Sequence, residues 1–112
     1  MSKNRQFQFV QPADLEADFD RQFIDVRKPQ ARQNSGLTIP GALWRHPFDA
    51  INWAEEFAGG QVVIFCVHGH EVSKAVGGYL ADLGVNVAVI EGGFESWREA
   101  GLPVVALGNG DE

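Results

Sequence analysis

The chain's only cysteine, Cys66, closes the apolar run Val62-Val63-Ile64-Phe65 and is followed by the polar, glycine-containing stretch Val67-His68-Gly69-His70-Glu71-Val72-Ser73. A thiol at the carboxyl end of a buried strand, with a helix opening behind it, lies where loop amides and the helix dipole favour an anion. The chemistry this offers is nucleophilic attack by a thiolate. A free cysteine is also a common small core residue, and position separates the two readings. Cys66 ends the strand rather than lying within it, and residues 67–70 are too polar to prolong it. Cys66 is therefore the candidate catalytic residue. The backbone amides of Val67, His68, Gly69, His70, Glu71 and Val72 are candidates to surround its sulfur and bind a substrate there.

The remaining polar residues near this stretch carry competing roles. His68 and His70 flank Gly69 and either donate to the sulfur, relay a proton or sit solvated on the loop. A metal site from Cys66, His68 and His70 is poorly matched to tetrahedral geometry, because alternate positions in one tight loop do not converge on a centre. No metal is expected. Arg27 and Arg45 are candidate positive charges at a binding rim; the plainer alternatives are pairing of Arg27 with Asp25 and exposure of Arg45 at a strand end. Trp44, Trp53 and Trp97 fall in periodic elements and read as packing residues.

The elements that position these residues follow from periodicity and punctuation. Apolar runs at Phe7 to Val10, Phe23 to Val26, Ala42 to Trp44, Gln61 to Phe65 and Asn86 to Ile90 read as strands. Between them, residues 12–17 form a short helix opened by proline, residues 27–36 a loop or weak helix, and Ile39-Pro40-Gly41 a turn. A helix from Pro47 carries the stripe Phe48, Ile51, Ala54, Phe57 and Ala58, stopped by Gly59-Gly60. The helix after Cys66, ending near Gly84, is expected to bury Val72, Ala75, Val76, Tyr79, Leu80 and Leu83. A last short helix runs from Phe94 to Ala100, and the tail from about residue 108 is expected to fray. Strands alternating with helices predict an α/β domain spanning residues 1–112, a mostly parallel sheet covered on both faces. Ligands of such sheets bind outside the carboxyl ends of the strands, where Cys66 and Asp25-Val26-Arg27 converge.

Composition narrows the function classes. The 112 residues are 45% hydrophobic and 21% charged, enough for one core. A formal net charge of −6, with no cluster of Lys and Arg, argues against nucleic acid and anionic membrane as partners. The opening Met1-Ser2-Lys3-Asn4-Arg5-Gln6 lacks the apolar core of a signal peptide, so the cytoplasm is expected. One cysteine excludes an intramolecular disulfide.

Four segments in order, Phe23-Ile24-Asp25-Val26-Arg27, Ile39-Pro40-Gly41-Ala42, the Cys66 loop and Glu91-Gly92-Gly93-Phe94-Glu95-Ser96-Trp97, resemble those of rhodanese-like domains across nearly the whole chain. The loop also resembles that of rhodanese modules associated with bacterial chromate-resistance proteins. The resemblance implies sulfur transfer through a persulfide on Cys66, from a small sulfane donor to a thiophilic acceptor such as cyanide, a small thiol or a protein thiol. It implies no cofactor, and the chain is expected to act as a monomer. Two departures stand out. Many single-domain members carry Arg or a small hydroxyl residue where this chain has Glu71, and commonly Gly-His before the Ile-Pro that Leu37-Thr38 precedes here. If Glu71 faces the sulfur, like charges about 5 Å apart at an effective dielectric near 20 cost about 3 kcal/mol, depressing use of a dianionic donor by about a hundredfold. If it faces solvent, it is a first-turn glutamate favoured by the helix dipole. The rival readings are a cysteine phosphatase or arsenate reductase, which needs a loop arginine that Glu71, Val72 and Ser73 do not supply, and a non-catalytic binding or redox-sensing module.

Overall fold

Alternation along the central strands builds two hydrophobic layers. In a computed structural model, which describes residues 7–15, 21–69 and 71–107, Val62 and Ile64 of β5 (Gln61–Phe65) face one side, and Val63 and Phe65 the other. This period of two splits the core as an interior strand of a covered sheet requires. Strand β5 lies at the centre of a five-stranded sheet in the order β1-β6-β5-β2-β4, with β1 (Gln8–Val10), β2 (Gln22–Asp25), β4 (Leu43–Trp44) and β6 (Asn86–Ile90). Every pairing in this sheet is parallel, with Ile64 opposite both Ile24 of β2 and Val89 of β6. All five carboxyl ends therefore meet at one rim. The expected α/β architecture, helices on both faces of a parallel sheet, is the one observed.

One face is covered by α2 (Ala50–Trp53), the 3₁₀ turn after it and α3 (Glu71–Asp82), which bury Trp53, Ala54, Val76, Leu80 and Ala81 against Ile24, Ile64, Val87 and Val89. The other is covered by α4 (Gly93–Glu99), whose Phe94 and Trp97 pack with Phe23, Phe65 and Ile90. Residues 29–35 form a regular helix, α1 (Pro29–Ser35), with proline in its first turn and Gly36 closing it at φ 74°.

Three expectations need correction. The buried face of α3 is Ser73, Val76, Gly77, Leu80 and Ala81; Ala75 is exposed, Leu83 beyond the helix is exposed, and Val72 and Tyr79 lie at the margin. Small residues lie against the sheet because the helix approaches closely there: a β-carbon on Gly77 would come within 3.2 Å of Phe7 and Val89 side-chain atoms. The segment from Pro47 is not one amphipathic helix. It is a 3₁₀ turn (Pro47–Asp49), the single turn α2 and a second 3₁₀ turn (Ala54–Phe57), and Phe48 and Ile51 are 71% and 74% exposed while Trp53 is buried. Finally, β3 (Leu37–Thr38) and β7 (Val105–Ala106), an antiparallel pair, were not foreseen. Residues 12–15 form a 3₁₀ turn; the rest of the helix expected at 12–17, and the tail from 108, lie outside the described residues.

Candidate active site

Cys66 leaves β5 at the central position of the rim, and the loop it opens is held from behind by the start of α4. The Phe94 amide donates to the Cys66 carbonyl at 2.8 Å and the Glu95 amide to the Val67 carbonyl at 3.1 Å. No peptide bond among the described residues is cis. In a trans peptide the carbonyl and the following N–H point in opposite directions, so the Val67 and His68 amides are turned away from α4. Orphan N–H groups of one helix thus fix the orientation of donors in a neighbouring loop.

Two glycines make this contact close enough. Gly69 has φ 74°, and a β-carbon there would lie 2.8 Å from the Ile90 carbonyl and 2.9 Å from the Gly92 and Gly93 nitrogens. Gly93 has φ 65°, and its β-carbon would lie 2.6 Å from the Cys66 and Val67 carbonyls and the Gly69 nitrogen. Both the left-handed backbone and the absence of a side chain are required, which only glycine supplies without strain. The 12-residue α3 begins at Glu71, so its amino terminus is also directed at the loop.

A cleft of about 310 Å³ opens beside the sulfur, lined by Arg27, Lys28, Ala31, Cys66, Val67, His68, Glu71 and Val72. Cys66 is 6% exposed. Of the candidates read from the sequence, Val67, His68, Glu71, Val72 and Arg27 meet there. Gly69 is buried beneath the loop rather than lining the cleft, and His70 lies outside the described residues. Glu71 and His68 are both exposed.

The two arginines take different parts. Arg27 borders the cleft, yet it is 1% exposed and its guanidinium is engaged: Nε and Nη2 donate to Asp25 at 2.9 and 2.7 Å, and Nη2 also donates to the Leu37 carbonyl at 2.7 Å. The guanidinium lies 4.4 Å from the Phe94 ring centroid. Asp25 further accepts from Thr38 and the Arg27 amide and lies 3.5 Å from Arg32 Nε. Arg27 therefore ties β2, β3 and α4 together beneath the cleft, pairing with Asp25 while still bordering the cleft. Arg45 does not line the cleft; it pairs with Glu56 and donates to the Trp44 carbonyl, which corrects its assignment as a substrate contact.

Sequence reasoning missed Lys28 and Ala31. Lys28 lies just beyond β2 and Ala31 in the first turn of α1, next to the rim that the strand-end rule marks at residues 25–27, and that rule was the available signal. Lys28 is exposed, and its Nζ lies 5.6 Å from the Phe48 ring centroid. Ser73 was also passed over: its hydroxyl is buried and has no hydrogen-bond partner among the described residues. Among the described residues no group of three His, Cys, Asp or Glu side chains is arranged to hold a metal ion, and no helix is long and apolar enough to cross a membrane.

Comparison with solved structures places this frame among known folds. A rhodanese-related protein from Thermoplasma volcanium is 28% identical, with a TM-score of 0.78 over 88% of this chain and 98% of that one. A protein from Rhodopseudomonas palustris described as a possible tyrosine phosphatase is 26% identical, with a TM-score of 0.74 over 88% and 85%. A rhodanese-like domain protein from Staphylococcus aureus, 22% identical, shares the fold with a TM-score of 0.71 over 87% and 97%. The rhodanese-like domain model matches residues 11–100. With that match over most of its length, and a strand, loop and helix presenting Cys66 at the rim, the chain belongs to the rhodanese-like domain family.

Proposed function

We propose that the protein is a sulfurtransferase that carries a sulfane sulfur on Cys66. The observation that carries this reading is the lone cysteine at the end of the central strand, opening onto a cleft whose loop amides are oriented by α4. The Cys66 thiolate attacks the outer sulfur of a donor such as thiosulfate. A sulfur–sulfur bond forms to Cys66, the donor's own sulfur–sulfur bond breaks, and sulfite leaves with that electron pair. A thiophilic acceptor, cyanide or a small or protein thiolate, then attacks the outer sulfur of the persulfide and returns Cys66 as thiolate. The persulfide is an anion, and loop amides whose orientation α4 already fixes would stabilise it without reorganisation.

The phosphatase reading lacks its oxyanion clamp. Glu71 and the half-buried Val72 occupy the start of α3, and Arg27, the nearest guanidinium at the cleft, is bound to Asp25. The test is intact-protein mass after exposure to thiosulfate or polysulfide. A gain of one sulfur atom, lost on adding cyanide and absent in Cys66→Ser, is expected, with turnover abolished in that variant and its circular dichroism unchanged. Turnover retained by Cys66→Ser refutes the mechanism. Slow alkylation of native Cys66 with no sulfur uptake identifies a binding or redox-sensing module instead.

A further inference from the structure

The Cys66 cleft carries one cation and one anion that neutralise nothing. Lys28 and Glu71 both line it, both are exposed, and among the described residues neither forms an ion pair, with each other or with any other group. The remaining fixed charge at the cleft, Arg27, is countered by Asp25. Lys28 is further steadied over the Phe48 ring. The rest of the lining is the aliphatic Ala31, Val67 and Val72, with the exposed His68 and the cysteine itself. We infer that the cleft selects a zwitterionic donor, a low-molecular-weight amino-acid persulfide, whose carboxylate pairs with Lys28 and whose ammonium pairs with Glu71. This rests on the sulfur-transfer reading of Cys66 and names its donor class.

The chemistry closes without a further reactant. The Cys66 thiolate attacks the terminal sulfur of the protonated persulfide; the new bond is Cys66 Sγ to that sulfur, and the old sulfur–sulfur pair leaves on the amino-acid thiolate. The proton first stays on the transferred sulfur and is then lost to solvent, which leaves the persulfide anion. A cleft of about 310 Å³ lies at the small end of ligand sites, roughly 300–1,000 Å³, and suits a single amino acid. A dianion such as thiosulfate gains at Lys28 what it loses at Glu71, whereas a zwitterion gains at both.

The test crosses donor with variant, reading kcat/KM for cyanolysis and sulfur uptake by mass. The donors are cysteine persulfide, N-acetylcysteine persulfide, which lacks the ammonium, and cysteamine persulfide, which lacks the carboxylate. In the parent protein each deletion is expected to lower kcat/KM by about fivefold, the scale of an exposed ion pair. Glu71→Gln should erase the penalty for N-acetylation and leave that for losing the carboxylate, and Lys28→Gln should do the reverse. Equal use of all three donors by the parent, or penalties that survive both substitutions, overturns the donor assignment while leaving sulfur transfer standing. No sulfur uptake from any donor overturns both.

Discussion

Replacing Gly93 by alanine isolates the contact that shapes the Cys66 loop, because another glycine provides a control with the same backbone. Gly93 and Gly41 both have positive φ, 65° and 81°, but a β-carbon on Gly41 meets nothing within 4 Å, while one on Gly93 meets three backbone atoms at 2.6 Å. An alanine at either position bears the left-handed penalty of about 1–2 kcal/mol. At Gly93 the clashing atoms are the Cys66 and Val67 carbonyls and the Gly69 nitrogen, and relief requires the loop to withdraw from α4. That withdrawal breaks the hydrogen bonds from the Phe94 and Glu95 amides, each worth about 1 kcal/mol. Gly93→Ala should therefore cost about 3–4 kcal/mol against about 1–2 for Gly41→Ala, a large share of a stability of about 5–15 kcal/mol. Urea unfolding of the two variants measures the difference, and persulfide formation measured on folded protein should fall in Gly93→Ala alone. Equal stabilities would refute the idea that the loop is pressed against α4, and equal sulfur uptake would refute its part in orienting the amides.

Other substitutions probe the surrounding frame. Arg27→Met leaves the Asp25 carboxylate buried without its bidentate partner and should lower stability by about 3–5 kcal/mol in urea melts; a loss below 1 kcal/mol means the pair is not the tie between β2 and α4. Ser73→Ala removes a buried hydroxyl that has no hydrogen-bond partner among the described residues and is expected to be neutral or stabilising by up to about 1 kcal/mol; a loss above about 1 kcal/mol would mean that the hydroxyl is bonded in solution. Arg45→Gln, at a pair outside the cleft, should change kcat/KM for any donor by less than about twofold; a tenfold loss would return Arg45 to the site.

Much of the fold was legible because the central strands are punctuated on both sides. The expected limits of β5 and β6 coincide with those observed, since Gly59-Gly60 and Gly84 mark their starts and the glycine-containing polar stretches beyond Cys66 and Ile90 their ends. The helices were harder to read for a physical reason. Periodicity weighs large apolar side chains, but α3 lies so near the sheet that Ser73, Gly77 and Ala81 face it, and the true buried stripe is rotated away from Ala75 and Leu83. Near Pro47 the bulky residues mislead in the opposite sense: Phe48 and Ile51 remain exposed, while Trp53 turns inward and donates its indole N–H to the His46 carbonyl at 2.8 Å. In the candidate site Cys66 and its loop were readable as a local pattern. Lys28 was only indirectly legible: the strand-end rule marks its neighbours 25–27 at the rim, and the pairing of β2 with β5 then brings it beside the cysteine.

The main-chain fastening of the Cys66 loop has a consequence for how this scaffold changes over generations. Its shape is set by carbonyls, amides and two glycines, and the side chains of Val67, His68, Glu71 and Val72 take no part in the bonds to α4. Those four positions behave as an exchangeable cassette: their chemistry is open to revision while the cysteine stays where it is. Single substitutions at the mouth can alter what the cleft accepts without renegotiating the fold, whereas a change at Gly69 or Gly93 puts the whole inheritance at risk.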